Sequence, residues 1–495
     1  MTLDNKKRLI SFLMKKNFLI SPDFVNILNN NFDYENFFSN IAPFIKQKDK
    51  PTLLNQKNFY SNLNPKISNN IIQTKIEIIK TYNEKPIKRE IQHFVHHFKK
   101  RYEALKNILQ ARNELNDIVS ISRVRNMEKN DPVAIIGLIS EKQKTKNNHI
   151  ILTLEDPTAK IKVLINNNNE KLIKMAEDII LDEMIGIVGK MGDNIIFSKD
   201  IFFPDVPFSK ELKKCSDEVY VAFISDLHVG SNMFLEKEFL NFISWLNCET
   251  GNNKQKKLAS KIKYLFIIGD LVDGVGIYPG QDSELIIDDI FKQYEACAKF
   301  LSMIRKDIKI IVCAGNHDAV RLAEPQPNLD KKYAQPIYDI PNVIVVSNPS
   351  YVNIHKTQGF PGFDILMYHG FSFDYYIANV DNIRNNGGYD RADLVMSLLL
   401  KKRHLSPTHS SNLYIPDIEN DNLVIDKVPD FFVSGHIHKT SISEYRNVTI
   451  ICGSCWQAKT SFQEKVGHNP EPCRVPIVNL KTREIKLMRF DKVGS

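Results

Sequence analysis

Eight residues in five short motifs have the types and spacing to do chemistry: Asp226 and His228 in ISDLHVGS, Asp270 in IIGDLVDG, Asn316 and His317 in AGNHD, His369 in MYHG, and His436 and His438 in SGHIHK. Asp, Asn and His without Cys are hard or borderline donors, which suit Mn²⁺, Fe or Zn in an open site better than a closed structural zinc site. Two cations about 3.5–4 Å apart can clamp the attacking and leaving oxygens of an in-line displacement at phosphorus, so the pattern points to hydrolysis of a phosphate ester. A lone GNHD can be a turn, and a lone buried His is more often a satisfied core residue. All five motifs in this order carry the reading.

These side chains need rigid elements to aim them. The apolar runs VAFIS, YLFIIG, IKIIVCA and DILMY precede four of the motifs, and the shorter FFVS precedes the fifth. Such runs read as buried strands ending in loops that present the polar residues to one crevice. In Asp226-Leu227-His228 and His436-Ile437-His438, extended geometry would send the polar pair to one side and the apolar residue to the core.

In this order, DxH, GDxxD, GNHD, a single His and GHxH resemble the calcineurin-like metallophosphoesterase superfamily, which includes the Mre11-type nucleases. The segments VPDFFVSGHIHKT (428–440), GSCWQAKTSFQ (453–463) and LLKKRHLSPTH (399–409) further resemble the small-subunit family of the archaeal D-family DNA polymerases, over roughly residues 92 to 495. That family usually shows GTWQ where this chain has Gly453-Ser454-Cys455-Trp456-Gln457, a departure that touches no expected ligand. The resemblance implies a calcineurin-like β-sandwich flanked by helices. It assigns Asp226, His228, Asp270 and His438 to one metal, and Asn316, His369, His436 and the shared Asp270 to a second. Mn²⁺ is favoured, with Fe, Zn or Mg²⁺ as alternatives. Asp270 and His317 are the expected catalytic pair, with His317 free to protonate a leaving O3′. Asp273 and Asp318 read as partners of the ligands or as turn carboxylates.

The function implied is a 3′→5′ exonuclease that proofreads primer ends or single-stranded DNA. Because the chain has no candidate polymerase domain, a large catalytic polymerase subunit is the implied partner. A stand-alone Mre11-like nuclease and a non-catalytic scaffold subunit are the competing readings, and the complete ligand set argues against the scaffold. Arg391, Lys401, Lys402, Arg403 and His404 form a basic cluster that could hold a DNA backbone. Trp456 and Phe462 read either as a docking tail or, for Trp456, as core.

The fold class expected is a multidomain mix of α/β and α+β. Residues 1–45 read as a small helical region with Leu9, Ile10, Phe12 and Leu13 on one face and a helix start at Ser21-Pro22-Asp23. Residues 46–90 are rich in Asn and Lys and read as a flexible linker. Residues 91–116 form a connecting helix lined by Phe94, Phe98, Tyr102, Leu105 and Leu109, with His93, His96 and His97 at its surface. Residues 117–205 read as a five-strand OB-type barrel, with Asp156-Pro157-Thr158 and Gly192-Asp193 at turns. Its strands carry few aromatics, which favours a spacer or protein-contact role. Residues 206–495 complete the phosphoesterase.

The net charge of +8 favours a polyanionic partner. Seven scattered Cys, one pair of them in a CxxC (Cys452, Cys455), suit reduced thiols rather than a disulfide framework. No apolar run approaches a membrane span and the N-terminus lacks a signal-peptide core, so a cytoplasmic, nucleoid-associated protein without membrane contact is expected.

Overall fold

The computed structural model describes residues 2–21, 25, 42, 45, 51–54, 75–84, 87–465 and 467–491. It divides into two compact units, Met1–Lys75 with His355–Pro361, and Ile76–Ile354 with Gly362–Ser495. In the first unit the helix Thr2–Lys15 buries Leu9 and Leu13. Strand β1 (Phe18–Ile20) pairs in parallel with β2 (Thr52–Leu54). A region read as helices followed by linker thus contains a small sheet, because three apolar residues are too few to show a period in sequence. The proposed start at Ser21-Pro22-Asp23 and most of the linker lie outside the described residues.

The linker reading also ends too late. Strand β3 (Lys75–Lys80) forms one edge of a six-stranded sheet. Just beyond it Tyr82 is buried, and its N–H donates to Ser347 Oγ at 2.8 Å. Residues 76–82 therefore belong to the second unit and not to a linker.

Next, β4 (Pro132–Lys144), β5 (Ile150–Glu155), β6 (Lys160–Ile165), β7 (Met184–Met191) and β8 (Ile195–Phe202) close into a barrel in the order β4-β5-β6-β8-β7. Ile135, Leu152, Val163, Ile187 and Ile196 fill its interior, as a five-strand barrel with no room for a channel requires. Asp156 Oδ1 accepts the N–H groups of Thr158 and Ala159 and so fixes the β5–β6 turn. The helix Ile91–Gln110 packs Leu105 and Leu109 on Ile136 and Met184 of the barrel. One expectation fails on this helix: His97 is buried, 2% exposed, and not at the surface.

The phosphoesterase contributes β9 (Tyr220–Ile224), β10 (Ile262–Ile268), β11 (Lys309–Cys313), β12 (Val343–Val345), β13 (Ser350–Lys356), β14 (Phe363–Met367), β15 (Phe431–Ser434), β16 (Ser441–Tyr445), β17 (Val448–Cys452), β18 (Arg474–Asn479) and β19 (Ile485–Arg489). They form two six-stranded sheets, β12-β11-β10-β9-β18-β19 and β16-β17-β15-β14-β13-β3. Alternation along each strand builds the layers. Phe223, Phe266, Phe363 and Phe431 meet between the sheets, with Phe223 at 6.0 Å from Phe431 across the gap. Ala222, Ile224, Leu265 and Ile267 face outward against the helices Glu236–Leu246 and Ile290–Ser302. Leu366, Phe432 and Ile450 pack on the helix Ala392–Lys402. The result is a multidomain α/β structure, a closed five-strand barrel followed by a sandwich of two six-stranded sheets flanked by helices.

Candidate metal centre

All five motifs lie just past the C-terminal ends of β9, β10, β11, β14 and β15. β9, β10 and β11 run parallel in one sheet, and β14 and β15 in the other, so their C-terminal ends open on the same crevice. The turns there are tight. Asp226, His228, Asp270, His436 and His438 adopt φ of 51°, 53°, 50°, 69° and 58°, left-handed conformations that cost non-glycine residues about 1–3 kcal/mol each and concentrate at functional sites. Leu227 and Ile437 do enter the core, but through alternating left-handed residues and not through the extended backbone expected from the spacing. The motif glycines allow close approach: a Cβ on Gly315 would stand 2.2 Å from Asp270 Oδ1, and one on Gly435 2.5 Å from Asp226 Oδ2.

The structure brings all eight motif residues together. Asp226 Oδ1 lies 3.4 Å from His438 Nε2, which is 3.1 Å from His228 Nε2, itself 3.8 Å from Asp270 Oδ2. That same Asp270 oxygen lies 3.3 Å from His369 Nε2, which is 3.0 Å from Asn316 Oδ1. Asn316 Oδ1 is in turn 3.1 Å from His436 Nδ1. Two donor sets therefore meet at one carboxylate oxygen. Imidazole nitrogens 3.1 Å apart and carboxylates crowded beside them are an arrangement that cations between the donors satisfy, so these residues fit divalent ions. Burial disfavours charge on His369, yet the charges of Asp270 and Asp226 outweigh it and raise its pKa to about 10.

Each imidazole is held by its outer nitrogen, which turns the inner one to the centre. His228 Nδ1 meets Asp273 Oδ1 at 3.1 Å, and Asp273 is itself held by Gln281 and Gln457. His369 Nδ1 donates to the Ile268 carbonyl at 2.9 Å. His436 Nε2 meets Asp374 Oδ2 at 2.8 Å, and His438 Nδ1 meets the Gln463 amide at 2.9 Å. Asp318 staples the β10 and β11 turns, accepting from the N–H groups of Gly315 and Leu271 and from the Tyr294 hydroxyl. Burial and the nearby Asp270 charge push its pKa up to about 7. Sequence reasoning missed Asp374, Gln281, Gln457 and Gln463. The two glutamines of GSCWQAKTSFQ carry a usable signal, since that segment stands out but reads as a docking tail and not as part of the site.

His317 is in neither donor chain traced above, although its ring lies beside His228, centroids 4.6 Å apart, and could join His228 and Asp273 around an ion. Its backbone N–H donates to Asp270 Oδ1 at 2.8 Å, and its Nδ1 meets the Asp273 carbonyl at 2.8 Å, so Nε2 is the atom left for a substrate. Burial lowers its pKa, against the pull of Asp270. The centre opens into a cavity of about 160 Å³, lined among others by Tyr278, His317, Asp374, Tyr389, His436 and His468.

The basic cluster does not form a DNA-facing surface. Lys402, Arg403 and His404 are 1%, 3% and 0% exposed. Lys402 pairs with Glu183 of the barrel at 2.5 Å, and Arg403 donates to the carbonyls of Ile425, Asp205 and Asp426. His404 Nε2 meets Asp421 Oδ2 at 2.9 Å, and the same oxygen takes Arg101 Nε at 2.6 Å. Lys401 is half-buried over the Phe203 ring, and Arg391 is exposed but forked onto Asp393 at 2.9 Å. Sequence shows a charge run, but only the fold shows that the run joins the barrel and the connecting helix to the phosphoesterase. Trp456, the other open question, is 1% exposed and packs against Phe239 and Phe242, so it is core and not a docking anchor. The side chain of Phe462 lies outside the described residues. Cys452 and Cys455 are buried thiols, and among the described residues no cysteine joins a candidate metal cluster.

A calcineurin-like phosphoesterase model matches residues 219–440, and an OB-fold nucleic acid binding domain model matches residues 133–195. Fold and centre thus define a calcineurin-like phosphoesterase preceded by an OB barrel. The chain is 40% identical over 410 residues to the DNA polymerase II small subunit of Methanothermobacter thermautotrophicus, covering 83% of this chain and 82% of that one. It is 39% identical to the protein of the same name from Archaeoglobus fulgidus, over 78% of this chain and 75% of that one. Against the Pyrococcus abyssi protein it is 38% identical over 79% of this chain but only 62% of that longer one. The chain belongs to the DNA polymerase II small-subunit family. Among the described residues no helix is long and apolar enough to cross a membrane.

Proposed function

We propose that this chain is the metal-dependent 3′→5′ exonuclease of a two-subunit DNA polymerase and trims mispaired nucleotides from primer ends. The supporting observation is Asp270: one buried carboxylate oxygen is common to two donor sets, and its other oxygen takes the N–H of His317. In this reading Asp226, His228, Asp270 and His438 hold one cation, and Asn316, His369, His436 and Asp270 the second. Two divalent ions, Mn²⁺ in preference to Fe, Zn or Mg²⁺, would neutralise phosphoryl oxygens and lower the pKa of an attacking water.

The protein's own groups do the remaining work. Asp273, the Ile268 carbonyl, Asp374 and Gln463 keep the four imidazoles aimed. His317, its Nδ1–H held by the Asp273 carbonyl, serves as the acid in its imidazolium form, which the Asp270 charge favours, and passes the Nε2 proton to the O3′ that leaves. A cavity of about 160 Å³ admits a strand end more readily than a duplex, which must first be opened. The relatives are named small subunits, so a large catalytic subunit is the partner proposed, with primer-end or single-stranded DNA as substrate.

The test is hydrolysis of end-labelled oligonucleotides with and without Mn²⁺. Single-stranded and 3′-mismatched ends are expected to be trimmed faster than blunt duplex, with mononucleotides released from the 3′ end. Equal rates on all ends would remove the proofreading reading, and release from the 5′ end would reverse the polarity.

A further inference from the structure

Two half-buried rings, Tyr389 and His468, line the cavity at the metal centre and have no part in the chemistry described so far. Their centroids lie 4.1 Å apart. The Tyr389 ring lies on the side of the cavity lined by Asp374, the carboxylate that holds His436. His468 hangs from a segment anchored on both sides, Ala458 N–H on the Met233 carbonyl and Glu471 N–H on the His438 carbonyl, and its own N–H donates to the Gln463 carbonyl at 2.9 Å. A further aromatic of the lining, Tyr278, stands beside His317, with ring centroids 6.4 Å apart.

The reaction itself says what each end faces. Water oxygen adds to phosphorus and releases a proton to solvent, the bond from phosphorus to the penultimate O3′ breaks, and that O3′ takes a proton from the His317 imidazolium, which solvent re-protonates. The shortened strand therefore leaves past His317 and Tyr278. The terminal nucleoside stays attached through its O5′, and the lining left for it is that around His436, Asp374, Tyr389 and His468.

We infer that the Tyr389–His468 pair is a stacking platform for the 3′-terminal nucleobase, and that it recognises an unpaired base of any identity. This rests on the exonuclease reading. Aromatic stacking is sequence-tolerant because every base has a π-face, and a base still paired in a duplex cannot reach the platform. The rings would thus select for frayed ends without reading sequence.

The experiment uses the full chain with Mn²⁺, alone and together with the large polymerase subunit. Two single-stranded oligonucleotides are compared, one ending in thymidine and one in an abasic deoxyribose. Wild type is expected to favour the base-bearing end by about tenfold, mainly through KM. His468→Ala should bring the ratio close to one, and His468→Phe, which restores a ring face, should keep the preference. Equal wild-type rates on the two ends overturn the platform and leave the exonuclease reading standing. A preference that survives in His468→Ala also overturns it. If wild type cleaves neither end, the exonuclease reading falls and the platform with it.

Discussion

His317 and Asp270 are one backbone hydrogen bond apart, yet the proposed chemistry asks different things of them. The His317 side chain is assigned to proton transfer and not to coordination, so His317→Ala is expected to keep metal content unchanged while kcat falls about 10²–10⁴-fold, the usual worth of a positioned proton donor. Elemental analysis beside a nuclease assay reads both quantities, and loss of metal would move His317 among the ligands. Asp270→Asn removes the charge common to both donor sets. It should lose most bound Mn²⁺ together with activity, and full occupancy in that variant would end the bridging assignment.

At the scale of elements, the segment following the helix Ala392–Lys402 works as a joint. His404 is fully buried, with Nδ1 accepting from the Ser406 N–H and Nε2–H donating to Asp421, a neutral tautomer with no place for a second proton. Burial, with the Arg101 charge beside it, holds its pKa down to about 4. The unfolded chain takes up that proton near pH 6.5, so between pH 6.5 and 4 unfolding gains a proton that folding excludes, and stability falls as pH drops. Excluding that proton over the window from pH 6.5 to about 4 is worth roughly 3 kcal/mol. Urea melts at pH 7 and pH 4.5 should show this loss in wild type and much less of it in His404→Asn; identical pH slopes would contradict the assignment. Lys402→Ala leaves Glu183 buried without its cation and is expected to cost about 3–5 kcal/mol. Its DNA affinity, measured at several salt concentrations while the variant is still folded, should keep the wild-type salt slope. A shallower slope would return Lys402 to the DNA interface.

For the whole molecule, the metal centre ties the two sheets of the sandwich together, since Asp226, Asp270 and Asn316 come from one and His369, His436 and His438 from the other. Cations bound there stabilise the folded state by mass action, about 2.7 kcal/mol at a free concentration of 100 Kd. Thermal melts should therefore show a higher Tm with Mn²⁺ than with chelator, and an unchanged Tm would mean that the donors do not take the ion. With Trp456 committed to the core, Trp456→Ala is expected to destabilise the phosphoesterase by about 3–5 kcal/mol. In variants that still fold, co-purification with a large polymerase subunit should persist, whereas loss of binding from a folded variant would restore the docking reading.

Local and periodic features were legible before folding was considered. The apolar runs placed β9, β10, β11, β14 and β15, and each run ended at a residue type able to hold a metal. The five barrel strands were legible for the same reason, because alternation and turn residues are properties of neighbouring positions. Tertiary structure alone decided which groups share Asp270, that the ligand turns are left-handed, and that Asp374, Gln457 and Gln463 orient the centre. It also decided that Lys402, Arg403 and His404 are buried and that Trp456 is core. Those facts depend on partners up to hundreds of residues away, as Arg101 and Asp421 show. A charged side chain reads the same in sequence whether water or a buried carboxylate solvates it, and only the packed fold distinguishes the two.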